Sequence, residues 1–505
     1  MPHYSAACVM NAETADIVVV GGGASGLAAA YEAAKAGSSV ILIEKAADFG
    51  GMMNWCVGTV SAVNTPQQRR AGINDNAHEH FEDLAAHAGS LVSRDNIALR
   101  AILTNNTADM MRWLLNLGVV FVGPLVDPPQ RVARMHNIVP SSKSFAFHLM
   151  RACRGVAVDL RLSTACDGLI NRQGSVVGVT VQRPDGTAQQ LIARQAVILA
   201  TGDYSNAPDL KRLFGASAVA DVDAVAKTST GDGHRFGIAT GGSVENGDIV
   251  RGPIMRFVPP THSNWIQRIP PYRAVGNVIV WAMDVLPQRL LRPFLMKFLT
   301  TVLGPSPVLF REGAILVNRE GERFVDELSA PAAALARQTS KEAYIVFDQT
   351  FAQKFAGWPN FVSTAPGIGY AYVDDYRRCR RDIFASASTA RELAVKLSLP
   401  ADNFVKTLLR YNEKERDGRP PIVAPNLYAL GPVKSYVVFT EGGLRISENF
   451  EVLADGRPIP GLFAVGAVGQ GGLLLEGHGH HLDWAFISGR LAGARCASLS
   501  RQQNQ

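Results

Sequence analysis

The chain has 505 residues, a net charge of +6 and a pI near 9.0, a length that suggests roughly two to four domains with large cores. Lys and Arg are scattered rather than gathered into runs with interleaved aromatics, so no nucleic-acid partner is expected. The cysteines Cys8, Cys56, Cys153, Cys166, Cys379 and Cys496 show no CxxC pair and no metal-ligand spacing, which predicts reduced thiols in a cytoplasmic protein and no metal site.

The opening MPHYSAACVMNA lacks the charged region and long apolar core of a secretory signal, and no apolar stretch reaches the roughly 18 residues of a membrane span. The first patterned element is the apolar run IVVV at 17–20. It meets Gly21-Gly22-Gly23-Ala24-Ser25-Gly26, an Ala-rich helical pattern follows, and the second run VILI at 40–43 ends on Glu44. This is a β-α-β unit with the chemistry of a dinucleotide site. Gly21 permits the tight turn, Gly23 lets the backbone approach a pyrophosphate, and Gly26 packs helix against strand. The helix N-terminus supplies N–H groups and partial positive charge. Glu44 stands where a carboxylate accepts hydrogen bonds from ribose hydroxyls.

Residues 75–89 carry a helical pattern in which His78, His80 and His87 fall on a polar face, expected to be surface rather than metal-binding. ADMMRWLLNL at 108–117 predicts an amphipathic helix closed by Gly118. From 157 to 191 short alternating strands turn at Gln173-Gly174 and Pro184-Asp185-Gly186, then run into AVILATG at 196–202, a buried strand returning to the first sheet. STGDGH at 229–234 opens a helix with Thr230 or Asp232 available as cap.

Residues 253–307 are rich in proline and aromatics, including Trp265, Tyr272 and Trp281. The segment LPQRLLRPFLMKFLTTVLG is basic on one side and apolar on another, the pattern of a pocket lid or of a helix in peripheral membrane contact through residues 285–304, with core packing as the alternative. Residues 314–325 predict a β-hairpin across Asn318-Arg319-Glu320-Gly321, and helical patterns follow near 341–356, 388–398 and 402–417. The last region runs through GLFAVGAVGQGG at 461–472 to a closing helix near 481–498, which Asp483 is expected to cap.

Together, GGGASGLAAA…ILIEK, AVILATG, TGDGHRFGIATGG, GAILVNREGERFVDE and GGLRI…PIPGLFAVGA…SGRLAG resemble the fumarate reductase and succinate dehydrogenase flavoprotein superfamily (FAD-binding type 2), which includes the 3-ketosteroid dehydrogenases. The resemblance spans nearly the whole chain in family order. It implies an α/β fold: a Rossmann-like FAD-binding domain with a glutathione-reductase-like βαβ core, formed by residues 1–244 and 431–505, and an inserted α+β capping domain at 245–430. It implies non-covalent FAD, held by Gly21, Gly23, Ala24, Ser25, Gly26, Glu44, Lys45, Gly50, Gly51, Ala200, Thr201, Gly202, Asp232, Gly466 and Gly479. The implied reaction is hydride transfer between flavin N5 and a carbon beside an electron-withdrawing group. No second GxGxxG unit follows residue 200, so electrons are expected from an external donor or acceptor.

The departures from the family pattern narrow the substrate. The proton-donating arginine of the fumarate reductases falls near Pro331 here. The dicarboxylate-binding histidine is absent from VVFTEGG at 437–443, and LLLEGHGHHLDW offers Glu476 and histidines where an arginine is expected. Losing three cations argues against a small dicarboxylate. The ketosteroid branch fits better in character. Yet Ala332 follows Ser329-Ala330-Pro331, and His480 follows Gly477-His478-Gly479, where that branch has tyrosines. His480, His481 and His478 are therefore the first catalytic candidates, as carbonyl polarisers or proton shuttles. Glu441 and Glu476 are candidates as carboxylates raised in pKa beside the flavin, and Tyr428 resembles a tyrosine brought to the active site in the family. A packed free thiol is the expectation for Cys56.

The expected function is an FAD-dependent oxidoreductase that desaturates a ketone or reduces an enone, acting on a small apolar carbonyl substrate, steroid-like or cyclic. The alternatives are a fumarate-reductase-like reductase of a small unsaturated acid, an FAD oxidase of another substrate class, and a flavin-containing membrane- or RNA-binding protein.

Overall fold

The structure, a computed structural model, describes residues 12–260, 268–365, 369–423 and 425–503. Cys8, Trp265 and the N-terminal stretch before Ala12 lie outside them.

Strands Ala12–Val20 and Val40–Ile43 pair in parallel, Val20 opposite Ile43, and the apolar runs at their C-terminal ends are buried. Continuous burial is what a parallel sheet covered on both faces imposes. Strand order in this sheet is Glu451–Ala454, Arg457–Ala464, Ala188–Leu199, Ala12–Val20, Val40–Ile43, Asp159–Arg161. Ala188–Leu199 serves two structures. Its first half pairs antiparallel with Ser175–Gln182 in the expected meander, and its second half lies parallel between Ala12–Val20 and Arg457–Ala464. Both ends of the chain thus build one Rossmann-like sheet.

Small residues bring the chain ends together. The closing helix His480–Gln503 lies on the first helix, Ala24–Lys35. At Gly489 and Gly493, one turn apart, an added Cβ would run into the backbone of Ser25 and Ala29.

A second sheet forms the α+β layer. Ile254–Phe257, Leu427–Tyr436, Ala343–Asp348 and Ile315–Asn318 lie in that order, and Phe384–Ala387 also pairs with Leu427–Tyr436. Leu427–Tyr436 belongs wholly to this sheet and runs through residue 430. Two short antiparallel ribbons join the layers: Val244–Glu245 with Gly443–Leu444, and Val250–Arg251 with Phe439–Thr440.

Three local expectations are corrected. The 314–325 hairpin is half formed, because the carboxylate of Glu327 accepts the N–H of Leu316 and the returning arm keeps only a Val317 to Arg323 bridge. The pattern at 341–356 is mainly a strand: Ala343–Asp348 is fully buried mid-sheet, where its aromatic and β-branched residues pack, and a short helix starts after Asp348. The helix over 108–117 begins earlier, at Ile97, because Asn96 caps it.

Candidate active site

The glycine turn has the geometry of a pyrophosphate cradle. Gly21 has φ +109°, and a Cβ there would fall on the carbonyl oxygen of Ala200. Around Gly23 the space is open, and the helix that starts after it has no side-chain cap and no acid in its first turn. Its N–H groups are free to meet an anion. Gly50 donates its N–H to Gly22 O at 2.9 Å, which sets the turn at Gly50-Gly51 against Gly22-Gly23. Glu44 binds the backbone itself, accepting from Gly22 N and Ala46 N, both at 2.8 Å, so it fixes the turn.

The other expected cofactor residues gather around this turn. Lys45 pairs with Asp232 at 2.7 Å and also reaches Thr230. Thr230 donates to Asp232, and neither caps the helix Asp232–Ala239: Gly231, in the left-handed region, is its N-cap. Thr201 accepts from Gly233 N at 3.2 Å, and open space surrounds Gly202. Gly466 leaves no room for a Cβ beside Ser25, and its N–H is taken by Ser488 at 2.9 Å. Residues from both chain ends thus surround the glycine turn, and its uncapped helix start and open space at Gly23 and Gly202 fit FAD. Burial pushes the Cys56 thiol up to about 11, so it is protonated, and it donates to Met53 O at 3.2 Å.

The glycine loop near Glu476 meets the ribbon from the second layer. Arg251, on Val250–Arg251, places Nε 3.1 Å from Glu441 Oε1 and pairs its other side with Glu476. Glu441 is fully buried. It takes Gln470 as a further hydrogen-bond donor, and His481 Nε2 lies 3.7 Å away. Burial alone would raise its pKa, but the neighbouring His481 and Arg251 overcome that and hold it at about 2. The expectation of a raised carboxyl is thereby reversed: Glu441 is an anion.

The three histidines of GHGHH go to different places. His480 is buried, and its Nδ1 is 2.5 Å from Glu476 O. Its Nε2 is 3.2 Å from that of His80, and burial holds its pKa near 3. His80 and His87, expected on a polar surface, turn inward against His480, while His78 stays outside. His478 is 58% exposed and binds Asp127 through Nδ1 at 2.8 Å, which raises its pKa. His481 packs on Phe439 at the mouth of the Glu441 site.

Asp483 does not cap the closing helix. Its carboxylate accepts the Ser61 N–H at 3.1 Å and ties the helix to strand Thr59–Ser61, where Gly479 with φ +101° allows the close approach. Tyr428 stands away from this cluster, in the second layer against Phe347 and Phe384. Arg251, Gln470 and Asp127 were missed in sequence. An arginine in the apolar, Gly/Pro-flanked text DIVRGPI was the one available signal for the first.

An FAD cradle built from both chain ends, facing a second layer across a glycine loop, defines a flavin-dependent oxidoreductase. The FAD binding domain family matches residues 16–255 and 277–474, and the chain belongs to it, within the fumarate reductase and succinate dehydrogenase flavoprotein superfamily. The chain is 28% identical to a vinyl phenol reductase of Lactiplantibacillus plantarum over 97% of each chain. Among solved structures it resembles the open conformation of a flavocytochrome c3 fumarate reductase, with 25% identity, TM-score 0.72, and 97% of this chain and 79% of the other covered. The fold is shared with a 3-ketosteroid delta1-dehydrogenase from Sterolibacterium denitrificans, with 18% identity, TM-score 0.63, and 96% and 100% covered.

Proposed function

We propose that this FAD-dependent enzyme acts on a carbon–carbon double bond conjugated to a carbonyl or similar polarising group in an uncharged, largely apolar molecule. When bound, FAD supplies the hydride exchange. The observation that carries the reading is the engagement of Arg251 by two carboxylates, Glu441 and Glu476. A dianionic substrate would have to compete with both for the one guanidinium, and drawing Arg251 away from Glu441 would leave a fully buried anion without its cation. A neutral enone or vinyl phenol meets no such conflict.

In this reading the protein's residues divide the work. The loop from Gly466 to Gly479 and the start of the closing helix direct backbone N–H groups and the positive helix end toward the cofactor. His481, beside ionised Glu441 and at the mouth of the site, holds the proton exchanged with the substrate. His480 is enclosed and neutral, and it holds the loop through Glu476 O. Reducing equivalents come from a separate partner.

The test is anaerobic. The reduced holoenzyme is mixed with cyclic enones, 3-ketosteroid enones, 4-vinylphenol, fumarate and urocanate, and flavin absorbance at about 450 nm is followed. Reoxidation by the neutral compounds supports the proposal. A response confined to the acids removes it.

A further inference from the structure

We infer that the second layer carries a docking surface for an anionic lipid membrane, formed by the helices Arg273–Val285 and Gln288–Val302. In the first helix Ala274, Val278, Trp281 and Val285 recur at i, i+4, i+7 and i+11, one face of a helix. All four are exposed, and Trp281 is 59% exposed. The opposite side of this helix, through Gly276, packs on Val120. The outward side therefore carries an apolar stripe, flanked along one edge by the exposed Arg273, Asn277 and Asp284.

The second helix continues the pattern. Leu290 and Phe294, one turn apart, are exposed, while Met296 and Thr300 are buried in the layer. Arg292 anchors it by binding Asp375 and the carbonyl of Tyr370. Tyr370 packs against exposed Trp358, adding aromatic rings of the kind that settle at membrane–water boundaries.

Charge selects the partner. Residues 268–302 contain the basic residues Arg268, Arg273, Arg289, Arg292 and Lys297 against the single acid Asp284, and with Arg292 neutralised by Asp375 a net excess of three positive charges remains. A second copy of this chain would bring like charges together, whereas an anionic bilayer complements them. Neither helix is long enough to cross a membrane, and among the described residues no helix is long and apolar enough to do so. The pair therefore lies in the interface plane. The expected contact at 285–304 is thus moved toward the N-terminal helix, where the exposed apolar face is longest. This inference is independent of the substrate reading.

The experiment is flotation of the holoprotein with vesicles of phosphatidylcholine alone or mixed in equal parts with phosphatidylglycerol. The protein should float with the mixed vesicles and be released by high salt. Trp281→Glu with Phe294→Glu should weaken this about tenfold or more, with flavin absorbance and circular dichroism unchanged. If the glutamates prevent folding, Val278→Ser with Val285→Ser carries the same expectation. The inference is overturned if the wild type fails to float, if it floats equally with phosphatidylcholine alone, if the variants float like the wild type, or if the variants instead abolish a dimer seen without lipid.

Discussion

Arg251 Nε lies 3.1 Å from the buried Glu441 Oε1 while the same guanidinium also pairs with Glu476. The two carboxylates occupy the guanidinium that a ligand carboxylate would otherwise use. Removing a carboxylate should therefore release the arginine for a carboxylate on the ligand. Glu476→Gln is expected to tighten fumarate binding to the oxidised holoenzyme by about tenfold, a charge-assisted hydrogen-bond effect of about 1–2 kcal/mol, while leaving neutral enones unaffected. Ligand-induced changes in flavin absorbance give both constants. Unchanged fumarate binding would mean that Arg251 does not face the substrate.

Removing the cation has the opposite consequence for the fold. Arg251→Leu strands Glu441 in the interior and should cost roughly 3 kcal/mol, the range for breaking a buried pair. Arg251→Leu combined with Glu441→Gln should recover much of this. Urea titrations of the two variants measure the difference, and equal stabilities would contradict the pairing.

The histidines should separate by role. His481→Gln is expected to lower turnover by about 10²-fold or more, the usual contribution of a positioned acid–base group, with FAD retained. His480→Ala should instead reduce thermal stability and flavin retention. Stopped-flow reoxidation of the reduced flavin at saturating enone distinguishes them, and a His481→Gln enzyme with the wild-type rate would reassign the proton.

Stability should fall in acid in two windows. His480 has a native pKa lowered to about 3 by burial, so below its unfolded value of about 6.5 only the unfolded chain binds this proton. By about pH 5 that costs ~2 kcal/mol. Glu441, held at about 2 in the folded state, stabilises above its unfolded value near 4.5 and loses up to ~3 kcal/mol as pH falls from there toward 2. Denaturant midpoints at about pH 7.5 and 5 test the first window. His480→Asn should remove about that much of the fall between them, the remainder coming from other buried histidines such as His136 and His234, which burial lowers to about 4.

Close helix contact should make Gly489 intolerant of even one methyl group. Gly489→Ala puts a Cβ onto the Ser25 backbone, and an overpacking cost of about 1–3 kcal/mol is expected. Flavin release should accompany it, because the same helix borders Gly466 and the pyrophosphate turn. A thermal melt with flavin fluorescence as probe reads both effects together.

Local chemistry decided much of this protein within the sequence. Continuous apolar runs buried on both faces made the ends of Ala12–Val20 and Ala188–Leu199 and the whole of Val40–Ile43 legible as parallel strands, and Gly21 and Gly26 marked the cofactor turn because no Cβ fits at either. The text AYIVFD misled because a short apolar run reads alike as strand or buried helix until its neighbours are known. The site's charge could not be read in this way. Arg251, Glu441, Glu476 and Asp127 are separated by up to hundreds of residues, and only the folded ribbons and glycine loop bring them together. Their ionisation depends on distance and burial, so the reversal of Glu441 from a raised carboxyl to a clamped anion, and the division of GHGHH into a buried, an exposed and a site-facing histidine, belong to the tertiary structure alone.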